Sequence, residues 1–125
     1  MSEISQERSG PITDKTGAEV TVAQDAAEHR YTISVEGQVA GFTEFADRES
    51  GDAIQRVFYH TEVDEAFGGR GLATILVTEA LNDVRAQGKR IVGVCPMVAA
   101  FLKKHPEYSD ITDPVRKEIL TWLGV

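Results

Sequence analysis

A chain of 125 residues, 42% apolar and 26% charged, has the size and balance of one folded domain that buries about two thirds of its unfolded surface. No apolar run approaches the roughly 20 residues that a membrane-spanning helix needs, and a net charge of -7 speaks against general nucleic-acid affinity, leaving only local basic patches at Lys89-Arg90 and Lys103-Lys104. The N-terminus has no basic start followed by an apolar stretch, and a lone cysteine cannot close an internal disulfide, so a reducing, cytoplasmic setting is expected.

Residues 1–17 are polar, contain Gly10-Pro11 and follow neither structural period, which predicts a flexible N-terminal arm ahead of a single domain over residues 18–125. From Ala18 the apolar residues recur every second position: Val20 and Val22, then Tyr31, Ile33 and Val35, then Val39, Gly41 and Phe45. Glu36-Gly37 and the run Asp47 to Asp52 fall between them as turns, so this part reads as an antiparallel meander. Ala53 to Val63 adds a fourth, more continuous strand. Leu72, Ile75, Leu76, Ala80, Leu81 and Val84 then recur at helical spacing until Gly88. Ile91 to Cys95 is a short apolar strand, and the order strand, helix, strand in this length implies a parallel pair joined by a right-handed crossover. Pro96 suits the first turn of a further helix carrying Val98, Phe101 and Leu102, which must stop near His105 because Pro106 follows. Pro114 to Leu123 forms a last short helix with Trp122 and Leu123 as expected buried anchors. The fold class is therefore mixed α/β (α+β), a meander leading into a parallel pair with a crossover helix.

The junction Glu62 to Thr74 carries the chemistry. Gly68, Gly69 and Gly71 let the backbone approach a ligand closely, and the first turn of the following helix leaves N–H groups unpaired. Unpaired amides at the positive end of a helix dipole hold phosphate without any particular side chain, and Arg70 can add a charge-assisted contact. A plain strand-to-helix turn with packing glycines is the alternative. Gly69-Arg70-Gly71 lacks the third glycine of a dinucleotide fingerprint, and no Gly-Lys-Ser/Thr of a nucleotide hydrolase is present. Three histidines and one cysteine without ligand spacing make no case for a metal site.

His60-Thr61-Glu62-Val63, Gly69-Arg70-Gly71-Leu72-Ala73, Cys95-Pro96 and His105-Pro106-Glu107-Tyr108 follow one another as in the small GCN5-related N-acetyltransferase-like (GNAT) family that carries a cysteine and a glycine-rich loop. The chain resembles that family over about Ala26 to Tyr108, and the few residues between Gln24 and Arg30 match a reduced fold lacking the usual helical excursion between the first strands. The resemblance implies acetyl-coenzyme A in a splay between the strand ending at Val63 and the strand ending at Cys95, with its diphosphate on the amides of Gly69, Arg70, Gly71, Leu72, Ala73 and Thr74. In the wider superfamily pattern a long polar side chain opens the loop; here Gly68 stands there, which removes one phosphate contact.

Cys95 ends a strand and precedes a helix, where exposed amides favour a thiolate, so it is the first nucleophile or acid to consider, against the plainer role of a small buried side chain. His60 and Glu62 share one face of their strand and could deprotonate an amine, although a half-buried imidazole and a solvated carboxylate explain them equally. Tyr108 is the other proton donor to weigh, while His105 reads as a helix terminator and Lys103-Lys104 as solvated cations that could approach a phosphate of coenzyme A. Two functions follow. One is acetyl transfer from acetyl-coenzyme A to a small-molecule or lysine-type amine, through an acetyl-cysteine or by direct attack; the other is a coenzyme A or acyl-coenzyme A binding module without efficient turnover. The acidic balance leans towards a cationic acceptor, and an exposed sheet face left by the missing helices could bind a partner protein.

Overall fold

Six strands, β1 (Ile12–Thr13), β2 (Glu19–Asp25), β3 (Arg30–Val35), β4 (Gln38–Ser50), β5 (Ala53–Val63) and β6 (Arg90–Gly93), lie side by side in chain order in the computed structural model, which describes residues 12–124. Every neighbouring pair is antiparallel except β5 and β6, which run parallel. Three α-helices, α1 (Leu72–Ala86), α2 (Pro96–Lys104) and α3 (Lys117–Leu123), complete the mixed α/β fold, with α1 as the expected crossover. The β2–β3 connection spans only a few residues and holds no helix, as the sequence implies.

The meander is set by alternation and turn chemistry. Along β3, Tyr31, Ile33 and Val35 are buried while Arg30, Thr32 and Ser34 between them are half-buried. Glu36 and Gly37 both adopt positive φ, 48° and 86°, the pattern that a two-residue hairpin turn needs to match strand twist. Two expectations need correcting here. Ile12–Thr13 pairs with Val20 and Glu19, so these two residues belong to the sheet and residues 14–17 are the turn that joins them to β2, rather than an arm; residues 1–11 lie outside the described residues. The run Asp47 to Asp52 is not one long turn, because β4 continues to Ser50 and only Gly51-Asp52 reverses the chain. Asp47 faces Arg56 across the ladder and Arg48 faces Gln55, so these polar residues pair across strands instead of turning.

One sheet face packs on α1 and α2. Leu72, Leu76, Val77, Ala80, Leu81 and Val84 of α1 are all buried in the main core with Tyr31, Ile33, Phe45, Phe58 and Ile91, each leucine or valine contributing about 1.5–3 kcal/mol. Val57 and Val92, neighbours in sequence of Phe58 and Ile91, point the other way and meet Ile119 in a second, smaller cluster. That places α3 on the opposite face. Its core anchor is Ile119, 1% exposed, whereas the expected anchor Trp122 is 45% exposed; the helix starts at Lys117, so Trp122 lies on its outer side.

Arg56 enters the main core with 2% exposure. Two parallel bonds of 2.8 Å to Asp47, one of 2.7 Å to the Tyr31 hydroxyl and the Phe45 ring 4.0 Å away satisfy the guanidinium. The Tyr31 hydroxyl in turn donates a hydrogen bond to Asp83 of α1 at 2.6 Å, and burial first, then that bond, pushes its pKa well above the usual phenol range.

Candidate functional site

The parallel ladder between β5 and β6 ends at Phe58, whose carbonyl accepts from the amides of both Val94 and Cys95 at 2.9 Å. Beyond it β5 runs on to Val63 paired only with β4, and Tyr59 is an extra residue in that ladder, since Glu44 and Phe45 face His60 and Phe58. The two parallel strands therefore part after Phe58. At Gly93 an added Cβ would come within 3.0 Å of Leu102 and 3.1 Å of Val98, so α2 leaves β6 at a close contact that a larger residue would meet only by displacing those side chains.

Cys95 caps α2. Its sulfur accepts from the Val98 amide at 3.4 Å, Pro96 occupies the first turn, and the residue is 2% exposed. The Thr61 hydroxyl lies 3.2 Å from the same sulfur and 2.8 Å from the hydroxyl of Thr43, which is fully buried. Thr61 was inside the motif from which His60 and Glu62 were singled out; strand alternation, which puts it on the face opposite theirs, was the signal that could have found it.

The remaining candidates divide between places. His60 Nε2 and Glu62 Oε2 are 2.6 Å apart on the exposed outer face, with Phe42 beside the imidazole, and their strand separates them from the Thr61–Cys95 side. Tyr108, in the turn Pro106–Ile111 after α2, is buried, donates to Asn82 of α1 at 2.7 Å and has its pKa raised by burial and then by Glu107. No direct hydrogen bond joins His60, Glu62 or Tyr108 to Cys95 among the described residues.

Val63 to Thr74 line a concavity of about 330 Å3 at the start of α1. Asp64 caps a short turn over Glu65–Phe67, Gly69 and Gly71 adopt φ of 76° and 78°, and Gly71 is the N-cap of α1 with no side chain to occupy the first amides. This fits an anion. Leu72 is the exception, turning its side chain into the core so that it offers backbone only. Gly68 is extended, with φ −64° and ψ 156°, a conformation open to any residue. Arg70 faces back to Asp14 at 3.4 Å and over the Phe67 ring at 5.2 Å. Between α1 and α2, next to this loop, a groove of about 170 Å3 is lined by Thr74, Val77, Met97, Phe101 and Lys104. Lys104, not Lys103, faces it, and His105 stacks on Phe101 at 4.0 Å.

Compared with known protein families, residues 30–111 match the model of the GCN5-related N-acetyltransferases, over more than half of the chain. This chain belongs to that family. The GNAT fold is also what its structural neighbours share. A GCN5-like protein from Staphylococcus aureus, solved by NMR, superposes with a TM-score of 0.54 at 19% identity, over 78% of this chain and 91% of that one. A ribosomal-protein-alanine N-acetyltransferase from Brucella melitensis biovar Abortus 2308 gives 0.50 at 19% identity, over 79% of this chain and 64% of that one. No curated protein matches the sequence. Acetyl-coenzyme A binding follows from membership of the GNAT family, and no described helix is long and apolar enough to cross a membrane.

Proposed function

We propose that this GNAT protein transfers an acetyl group from acetyl-coenzyme A to an amine, with Cys95 at the reacting centre. The observation that carries the reading is the arrangement of a hydrogen-bonded, helix-capping thiol at the point where β5 and β6 part, with β5 running on into a glycine loop that presents free amides. Gly69, Arg70, Gly71, Leu72, Ala73 and Thr74 hold the diphosphate, chiefly through backbone N–H groups, while Val63 walls the opening. Bound acetyl-coenzyme A supplies an electrophilic thioester carbonyl.

The chain's own groups support two routes. In the first, the Cys95 sulfur bonds to the acetyl carbon, the bond from that carbon to the coenzyme sulfur breaks, and the thiol proton passes to the departing sulfur; the amine then takes the acetyl group and Cys95 regains a proton. In the second, the amine attacks directly and Cys95 or Tyr108 protonates the leaving thiolate. Tyr108 has a raised pKa, by burial first, which makes it a weaker acid than a free phenol, and it must give up its bond to Asn82 to act. On the outer face the hydrogen-bonded His60 and Glu62 are available to accept the amine's proton. Glu62 and Asp64 also line a shallow hollow with Phe42 and Val39, which suits a small-molecule or lysine-type cationic acceptor.

Mass spectrometry after incubation with acetyl-coenzyme A tests the reading. Under native conditions the coenzyme mass should be retained, and under denaturing conditions a covalent acetyl group on Cys95 marks the first route. Cys95→Ala should keep the non-covalent complex and lose transfer to amines. Retained binding with no turnover on any amine by the native protein would leave a binding module instead, and no complex at all would remove the coenzyme site.

A further inference from the structure

The segment before β2 folds onto the glycine loop. Asp14 is 6% exposed and gathers four donors: the Thr16 amide at 2.8 Å, the Thr16 hydroxyl at 2.7 Å, the Ala18 amide at 3.1 Å and the Arg70 guanidinium at 3.4 Å. These bonds, the Thr16 hydroxyl first, hold its carboxyl below the usual range against the opposing effect of desolvation. The Lys15 amide donates to the Arg70 carbonyl at 3.1 Å, so the strap is tied to the loop through backbone as well as side chain. Its stem then lies across Gly71, with Cε 3.2 Å and Cγ 3.6 Å from where a Cβ on that glycine would sit. Among the described residues no acidic side chain pairs with the Lys15 ammonium. Thr13, Lys15, Arg70, Gly71 and Thr74 together line an open hollow of about 290 Å3 that adjoins the loop concavity.

We infer that Lys15 is a diphosphate-binding residue of the coenzyme site, a cation brought to the loop by the N-terminal strap at a loop whose own first position is Gly68. The inference rests on the reading that residues 69–74 hold the diphosphate. Arg70, the cation inside the loop itself, is spent on Asp14 and fixes the strap. Lys15 is one residue from that clamp, exposed, and aligned over the residue that caps α1, where amides and an ammonium converge on one anion. A lysine suits this position because its stem covers the bare glycine while the charged end stays in water.

The test compares native protein, Lys15→Met and Lys15→Arg against three acetyl donors: acetyl-coenzyme A, its form lacking the 3′-phosphate, and S-acetyl-pantetheine, which lacks the diphosphate and the nucleotide. Methionine keeps an aliphatic stem over Gly71 and removes the charge alone. Dissociation constants for the first two donors should rise about fivefold in Lys15→Met and fall less steeply in strength with added salt. S-acetyl-pantetheine should bind the two proteins equally, and Lys15→Arg should restore most of the loss. Equal coenzyme affinity in native protein and Lys15→Met overturns the inference, as does an equal loss for all three donors, which would make the stem and not the charge the cause. A loss confined to the donor carrying the 3′-phosphate overturns the diphosphate assignment. If the native protein binds none of the donors, the coenzyme reading falls and this inference with it.

Discussion

The pair of threonines behind Cys95 gives a test with a built-in control. Thr43 is fully buried, and its hydroxyl meets that of Thr61 at 2.8 Å. Thr61→Val is nearly isosteric, yet it strands the buried Thr43 hydroxyl and removes one partner of the sulfur. An unsatisfied buried hydroxyl costs about 1–3 kcal/mol, whereas replacing both members of a bonded pair by apolar groups of the same shape is close to neutral. Urea denaturation should therefore show Thr61→Val less stable by about 1–3 kcal/mol, and Thr43→Val/Thr61→Val recovering much of that loss. The sulfur supplies an independent readout: with only the Val98 amide left to it, alkylation by iodoacetamide at fixed pH should slow about two- to tenfold, the equivalent of one ordinary hydrogen bond, and Thr61→Ser should restore it. Strictly additive single-mutant losses, or alkylation unchanged in Thr61→Val, would refute the argument that the two hydroxyls and the thiol form one chain.

Four further outcomes follow from the loop and the core. Gly71→Asp places a side chain and a negative charge at a left-handed position of φ 78°, so coenzyme affinity measured by calorimetry should fall at least tenfold, with stability lower by about 1 kcal/mol. Gly68→Arg should fold normally, because φ is −64° and the new Cβ meets only the Glu65 carbonyl at 3.2 Å, and should tighten coenzyme binding by a few-fold; equal or weaker affinity in a folded variant would mean that the side chain does not reach the phosphates. Arg56→Met should cost about 2–4 kcal/mol in denaturant titration, below the range for a fully buried pair because Asp47 keeps 32% side-chain exposure and a second partner in Lys89. The same pair predicts a pH effect: desolvation raises the Asp47 carboxyl but its bonds to Arg56 and Lys89 outweigh that, leaving its folded pKa below the usual aspartate range. Its contribution is then complete above the unfolded pKa and lost as pH falls through the lower folded one, so Asp47→Asn should flatten the acid limb of the stability curve below about pH 4.

What the sequence disclosed, and what it withheld, divides along the range of the forces. The α1 helix, the Pro96 start of α2 and the parallel pairing of β5 with β6 rest on local spacing and on the short crossover, so they were readable in order. The length of β4 was not, since Asp47, Arg48 and Ser50 look like turn residues until Arg56 and Gln55 are known to face the first two. Likewise Ile12–Thr13 has no period to show in two residues, and only pairing with Val20 makes it a strand. At the site, the glycine loop and Cys95 were visible as residue types at a junction. That His60 and Glu62 face away from the thiol, and that Thr61 faces towards it, depends on where the strand is interrupted at Tyr59.

That interruption decides which chemistry meets the sulfur. Phe58 and Thr61 sit three residues apart on the same side of β5, a spacing that an unbroken strand forbids. Were β5 to run unbroken through Tyr59, with that residue paired in the ladder, regular alternation would exchange the two faces of the strand beyond it, bringing the imidazole of His60 inward and sending the hydroxyl of Thr61 out to solvent. One backbone residue thus acts as a selector between an imidazole and a hydroxyl at the thiol, with the outward phase leaving His60 and Glu62 on the surface from which an acceptor can arrive.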